Sequence, residues 1–78
     1  MATQVKIYTT PACSQCRAAK KYFKGKGVEY EEMDVASNAR ARVEMFGIAQ
    51  TRTVPVIVID GQVFVGFDQG KIESKLFG

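Results

Sequence analysis

Apolar and polar residues alternate near the start of the chain, and the pattern then changes to helical spacing. The alternation in "VKIYT" predicts a β-strand from Val5 to Thr9. The segment "SQCRAAKKYFKGKG" follows Pro11 and carries apolar residues three and four positions apart, namely Cys16, Ala19 and Phe23. Two glycines close this segment and predict the end of a helix.

The middle of the chain predicts a second strand and a second helix. In "VEYEEMDV" the alternation slips between Tyr30 and Met33, which predicts a bulge or a strand shorter than the run. Ser37 or Asn38 is expected to cap the next helix. Its other predicted features are an apolar stripe of Ala39, Val43 and Phe46, an end at Gly47, and a hydrophobic contact from Ile48 beyond that end.

The segment "VPVIVIDGQVFVGF" predicts a β-hairpin. Two apolar strands flank Asp60-Gly61, a dipeptide suited to the left-handed backbone of a two-residue turn. Residues 56–59 are apolar without alternation, as expected for a strand covered on both faces. The features predicted for a last helix are a cap at Asp68, a hydrophobic staple of Phe67 with Ile72, and a further apolar position at Leu76.

These elements follow one another in the order β-α-β-α-β-β-α. The first two strands are joined through a helix and should be parallel, whereas the last two form an antiparallel hairpin. The sequence therefore predicts an α/β fold in which helices cover both faces of a mixed four-stranded sheet. At 78 residues the chain is expected to form a single domain, residues 1–78.

Composition narrows the class of protein. Apolar residues make up 46% and charged residues 24%, which is ordinary for a globular chain. No apolar run is long enough to span a bilayer, and "MATQVKIYTT" does not resemble a signal peptide, so we expect a cytoplasmic protein without a membrane partner. The formal net charge of +3 is too small to indicate a nucleic-acid partner.

Charged residues form two clusters after the cysteines. The basic cluster is Arg17, Lys20, Lys21, Lys24 and Lys26, and the acidic one is Glu29, Glu31, Glu32 and Asp34. One interpretation is two solvated faces that keep the protein in solution. The other is a positive rim that attracts anionic thiols or an acidic partner towards the cysteines.

The only two cysteines, Cys13 and Cys16, lie three positions apart at the predicted start of a helix. Such neighbours can bring their sulfurs within bonding range. The positive end of a helix dipole stabilises a thiolate, which is the reactive form of cysteine. Cys13 lies at or before the first helical turn, whereas Cys16 lies on the apolar stripe. We therefore expect Cys13 to attack a disulfide and Cys16 to resolve the product, with Arg17 and Lys20 as possible aids.

Other uses of the pair are weaker interpretations. A tetrahedral zinc site needs about four ligands, and the chain has neither a third cysteine nor a histidine, so no metal site is expected. An iron–sulfur cluster shared by two chains stays open, as does a chance pairing. A cytosolic C-x-x-C between a strand and a helix is typical of a redox motif.

Three segments resemble the signatures of glutaredoxins and related redoxins of the thioredoxin fold. They are "YTTPACSQC", "TVP" at Thr53 to Pro55, and "VGFD" at Val65 to Asp68, in the expected order. The resemblance implies a thioredoxin-like fold, and it implies that Pro55 has a cis peptide bond and faces the cysteines. It also implies that the backbone of Val54 is free to pair with a bound peptide or thiol.

The same resemblance implies a binding surface for substrate or glutathione. Its members are Arg52, Thr53, Val54, Pro55, Gly66, Phe67 and Asp68. Gly66 would allow close approach of the γ-glutamyl end of glutathione, and Asp68 would bind its ammonium group. Arg52 would lie near the glycyl carboxylate, although an arginine in a solvated loop is an equally good interpretation.

The chain departs from the glutaredoxin pattern at positions that bear on its reductant. Many glutaredoxins carry a lysine at the position of Thr10, and it helps to hold glutathione. Gln15 before the second cysteine, and the turn "GF", resemble redoxins that thioredoxin reductase reduces. The tryptophan that precedes this turn in those redoxins is absent, with Phe64 nearby instead. Glutathione and thioredoxin reductase therefore both remain candidate electron sources.

We expect a monomeric disulfide oxidoreductase of cytoplasmic redox homeostasis, with no bound cofactor and disulfide-containing proteins as partners. Two alternatives stay open. One is monothiol deglutathionylation by Cys13 alone with glutathione. The other is an iron–sulfur cluster carrier.

Overall fold

The computed structural model describes residues 4–50 and 54–77, and within them it contains four strands and three helices. The elements are β1 (Val5–Thr9), α1 (Ser14–Gly25), β2 (Glu31–Asp34), α2 (Ala39–Ala49), β3 (Val56–Ile59), β4 (Gln62–Val65) and α3 (Gln69–Phe77). This order confirms the β-α-β-α-β-β-α prediction. None of the helices in the described ranges has the length and apolar character needed to cross a membrane.

The four strands form one mixed sheet in the order β2-β1-β3-β4. β1 is parallel to β2, and both the β1–β3 and β3–β4 pairs are antiparallel. β2 has four residues, shorter than the run that predicted it. At the centre of the sheet Ile7 lies opposite Ile57, which in turn lies opposite Phe64.

Helices cover both faces of the sheet, as predicted. Alternate side chains of β1 and β3 point to opposite faces. One core lies under α1 and α3 and contains Val5, Ile7, Ala19, Phe23, Ile57, Ile59, Phe64 and Ile72. The other lies under α2 and contains Tyr8, Val35, Ala41, Met45 and Val56. Because both faces are covered, β3 is apolar without alternation.

The predicted apolar stripe of α2 is wrong. Ala41 and Met45 face the sheet, whereas Val43 and Phe46 keep 71% and 51% of their surface exposed. The predicted end at Gly47 is also wrong, because the helix continues to Ala49 and ends at Gln50 in a left-handed conformation. Ile48 is therefore a helical residue, and it is 42% exposed.

Side chains fix the start of α2 and its position on the sheet. The Asn38 Oδ1 atom accepts a hydrogen bond from the N–H of Ala41 at 3.1 Å, so Asn38 is the cap. Glu44 accepts hydrogen bonds from the Tyr8 hydroxyl and, at 2.8 Å, from Lys6 Nζ. These bonds tie α2 to β1.

Local signals at the hairpin and at α3 are confirmed. Asp60 and Gly61 have φ values of 48° and 87°, the left-handed backbone that the turn requires. The Asp68 Oδ1 atom accepts a hydrogen bond from the N–H of Lys71 at 3.2 Å and caps α3. Phe67 is partly buried against the core that contains Ile72, its predicted staple partner.

Candidate functional site

Cys13 is the N-cap of α1. Its backbone is extended, with φ −89° and ψ 116°, and its Sγ atom accepts a hydrogen bond from the N–H of Cys16 at 3.3 Å. The sulfur thus occupies the place of a capping oxygen, where the helix leaves backbone N–H groups unpaired. The prediction that Cys13 lies at or before the first helical turn is confirmed, since Cys13 directly precedes Ser14, the first residue of α1.

The surroundings of Cys13 favour its thiolate. Burial raises the pKa of the thiol, but hydrogen bonds from the Cys16 side chain and from the N–H groups of Cys16 and Gln15 outweigh it. The charge of Arg17 acts in the same direction, and the pKa lies below its ordinary value. Because the side chain is only partly buried, a disulfide in solution can reach it.

Cys16 has the opposite character. Its side chain is fully buried, and burial together with the hydrogen bond to Cys13 raises the pKa of the thiol to about 11. The backbone N–H of Thr10 and the charge of Lys20 oppose this rise. The two sulfurs are free thiols one helical turn apart. The structure therefore places an accessible, acidified thiol next to a shielded, weakly acidic one.

The loop before β3 meets the cysteines. The Val54 carbonyl accepts a hydrogen bond from the Cys13 thiol at 3.7 Å. The Val54–Pro55 peptide bond is cis, and Pro55 is fully buried. The Pro55 carbonyl accepts a hydrogen bond from the N–H of Gly66 at 2.8 Å. These contacts join the cysteine loop, the proline loop and the turn after β4.

The residues of the turn after β4 differ in their exposure to solvent. Gly66 has a φ of 82°, which favours glycine, and open space lies where a side chain would project. Phe67 turns inward, and its ring centroid lies 5.7 Å from that of Tyr22. Asp68 is exposed and uses one carboxylate oxygen to cap α3. Gly66 and Asp68 thus keep surface accessible to a ligand, whereas Phe67 is partly buried against the core.

Two predicted site residues, Arg52 and Thr53, lie outside the described residues.

The two basic residues expected to aid the cysteines act on different sulfurs. Arg17 donates a hydrogen bond to the Pro11 carbonyl at 3.3 Å, and its charge acts on Cys13, whereas that of Lys20 acts on Cys16.

An open groove of about 620 Å³ beside the site was not predicted. Its lining comprises Thr10, Val35, Ala36, Arg42, Val43, Met45, Phe46 and Val54. Val54 also contacts Cys13, so this residue joins the groove to the cysteine loop. The sequence did contain an indication of this groove: Arg42 lies beside the predicted apolar stripe of α2. A buried stripe would force its charge into the core, where an unpaired charge is unfavourable. Val43 and Phe46 therefore line this groove instead of the core.

Comparisons with known proteins agree with this geometry. The family model described as Glutaredoxin matches residues 5–64. An uncharacterized glutaredoxin-like 8.6 kDa protein in the rubredoxin operon of Clostridium pasteurianum is 39% identical over 72 residues, which cover 92% of this chain and 96% of that protein. Glutaredoxin 3 of Escherichia coli K12 is 41% identical over 64 residues, which cover 82% of this chain and 77% of that protein.

A solved structure extends the similarity across the whole fold. It is that of NrdH-redoxin from Escherichia coli, described as a glutaredoxin-like protein with a thioredoxin-like activity profile. The TM-score is 0.80 at 25% identity, and the match covers 96% of each chain. Fold, sequence and family model agree, and the chain belongs to the glutaredoxin family of redox proteins.

Proposed function

We propose that the protein is a thiol–disulfide oxidoreductase that reduces disulfides through Cys13 and Cys16. The observation that carries this proposal is the contrast between the two thiols. Cys13 is accessible with a lowered pKa, and Cys16 is buried beside it with a raised one. A pair in which one thiol ionises readily and the other does not has distinct attacking and resolving members.

In the first step the Cys13 thiolate attacks one sulfur of a substrate disulfide. A Cys13–substrate bond forms, the substrate S–S bond breaks, and the second substrate sulfur leaves as a thiolate. In the second step Cys16 loses its proton and attacks Cys13, so the substrate's first sulfur leaves. Two electrons pass from the dithiol to the substrate, which takes up two protons as its thiolates become thiols.

The Val54 loop and the groove provide the binding surface. Val54 lies against Cys13, so an extended segment in a mixed disulfide would cross the backbone of Val54. Beyond it, Val43 and Phe46 offer apolar contacts, and Arg42 offers a charge-assisted hydrogen bond to a carboxylate. The substrates are disulfide-containing proteins, and the protein acts as a cytoplasmic monomer without a resident cofactor.

Two electron sources, glutathione and thioredoxin reductase, fit this chemistry. Arg42, Gly66 and Asp68 offer a cation, an open backbone and a carboxylate to a zwitterionic peptide such as glutathione. Thr10 supplies no charge at the groove. The chain is similar both to glutaredoxin 3 and to a redoxin with a thioredoxin-like activity profile.

The proposal is tested by following NADPH oxidation with a protein disulfide such as insulin as substrate. One reaction contains glutathione and glutathione reductase, and the other contains thioredoxin reductase. Turnover in one or both is expected with the wild-type protein and is lost in Cys13→Ser. Turnover only with glutathione identifies it as reductant, and turnover only with thioredoxin reductase excludes it. Activity in neither, or undiminished activity in Cys13→Ser, would overturn the proposal.

The high pKa of Cys16 favours a second candidate, monothiol deglutathionylation by Cys13. Burial, the largest cause of this raised pKa, persists when Cys13 is bound in a mixed disulfide, so Cys16 ionises there less readily than an ordinary exposed thiol. An external glutathione thiol can therefore compete with Cys16 for the mixed disulfide. Retained deglutathionylation in Cys16→Ser would establish this route, and its loss would exclude it.

A further inference from the structure

A small polar cluster joins β1, β2 and α1, the helix that carries Cys16. The Glu32 Oε2 atom, on β2, accepts two hydrogen bonds of 2.8 Å. One comes from the Thr9 hydroxyl at the end of β1, and the other from Lys20 Nζ on α1. Thr9 is 1% exposed, so this end of the cluster is fixed in the protein interior. The predicted basic and acidic clusters therefore meet here.

The cluster holds the Lys20 ammonium group on the helix face of Cys16. Residues four positions apart lie on the same face of an α-helix, and helical side chains lean towards the N-terminus. The long Lys20 side chain thus extends over the turn that contains Cys16. The bond to Glu32, which Thr9 also holds, keeps the partly exposed ammonium group against β2 at this end of α1.

We propose that Lys20, held by Glu32 and Thr9, is a positioning residue for the resolving step, stabilising the Cys16 thiolate as it attacks the mixed disulfide. This role rests on the dithiol mechanism proposed above. In that step the Cys16–Cys13 bond forms and the Cys13–substrate bond breaks. The proton lost by Cys16 is balanced by the one that the departing substrate thiolate takes up.

The cluster acts through charge and does not act as a base. Hydrogen bonds from Lys20 and Thr9 lower the pKa of Glu32, and the bond to Glu32 raises the pKa of Lys20, so both stay charged near neutral pH. The groups acting on Cys16 are Cys13 at the cap of α1, Lys20 on α1 and the Thr10 N–H after β1. Glu32 of β2 acts through Lys20.

The two steps can be separated with 5,5′-dithiobis(2-nitrobenzoate), which releases one coloured thiolate on attack and a second on resolution. In stopped-flow experiments the first phase depends on reagent concentration and the second does not. The second phase is compared in Lys20→Gln, which removes the charge, and Lys20→Arg, which retains it. Lys21→Gln is the matched control, because it makes the same change in net charge at an exposed position of α1.

In Lys20→Gln we expect the second phase to slow about two- to fivefold, the range for a partly exposed charge pair. Its pH profile should move to higher pH while the first phase is unchanged, and Lys20→Arg should restore both. A second phase equal to that of Lys21→Gln at every pH, or no restoration by Lys20→Arg, would overturn the inference. Release of a single thiolate by the wild-type protein would instead overturn the dithiol mechanism.

Discussion

The sulfur of Cys13 accepts a hydrogen bond from the backbone N–H of Cys16 at 3.3 Å, so the two cysteines are linked before any disulfide forms. The same helix start that lowers the pKa of the Cys13 thiol buries the Cys16 thiol and raises its pKa. One local structure thus gives two chemically identical side chains different reactivity.

Alkylation should show this difference directly. In Cys16→Ser the rate of reaction with iodoacetamide should rise with pH and level off at a midpoint below that of an ordinary thiol, about 8.5, because only the thiolate reacts. Cys16→Ala removes the side-chain hydrogen bond that lowers the pKa of Cys13, so its midpoint should be higher than in Cys16→Ser. Identical midpoints in the two variants would show that this bond has no effect.

The position of Arg42 in the groove predicts that it binds a carboxylate of the substrate. With glutathione as reductant, Arg42→Glu should raise the KM for glutathione at least about threefold, because it replaces attraction of a carboxylate with repulsion. Arg40→Glu, with the same charge change at an exposed position of α2, is the control. Equal KM values for the two variants in the coupled glutathione assay would exclude this role.

The corrected orientation of α2 predicts unequal effects of two truncations. Met45→Ala should lower the free energy of unfolding by about 2–5 kcal/mol, because Met45 is buried against the sheet. Val43→Ala should change it by less than about 0.5 kcal/mol, since Val43 is exposed in the groove. Urea denaturation measures both. A larger loss of unfolding free energy in Val43→Ala than in Met45→Ala would show that the stripe expected from periodicity is the buried one.

Two glycine substitutions should have opposite signs. Gly47 lies inside α2 with open space around it, so Gly47→Ala should raise the free energy of unfolding by about 0.5–1 kcal/mol. Gly66→Ala should lower it by about 1–2 kcal/mol, because alanine is strained at a φ of 82°. Thermal or urea denaturation compares them. Destabilisation by Gly47→Ala would indicate that the helix ends at that residue.

Local sequence was sufficient to predict the order of the helices and strands and the position of the cysteine pair. The caps at Asn38 and Asp68, the Asp60-Gly61 turn and the position of Cys13 depend on residues within a few positions of one another. The fold order followed from the spacing of those elements, and the glutaredoxin signatures indicated the fold family.

Contacts between elements that are distant in sequence could not be predicted. Periodicity reveals an apolar stripe on α2, but not that Met45 packs on the sheet while Phe46 lines a groove. Similarly, the sequence shows Lys20 and Glu32 in two charged clusters, but their 2.8 Å contact depends on how α1 lies against β2. Interactions between distant segments have no local signal.

The most direct test of the central claim is mass spectrometry of acid-quenched reactions between a protein disulfide and two variants. With Cys16→Ser we predict a covalent adduct on Cys13, because the attacking thiol is present and the resolving thiol is absent. With Cys13→Ser we predict no adduct. Equal amounts of adduct in the two variants, or equal residual turnover, would contradict the assignment of Cys13 as the attacking thiol and Cys16 as the resolving one.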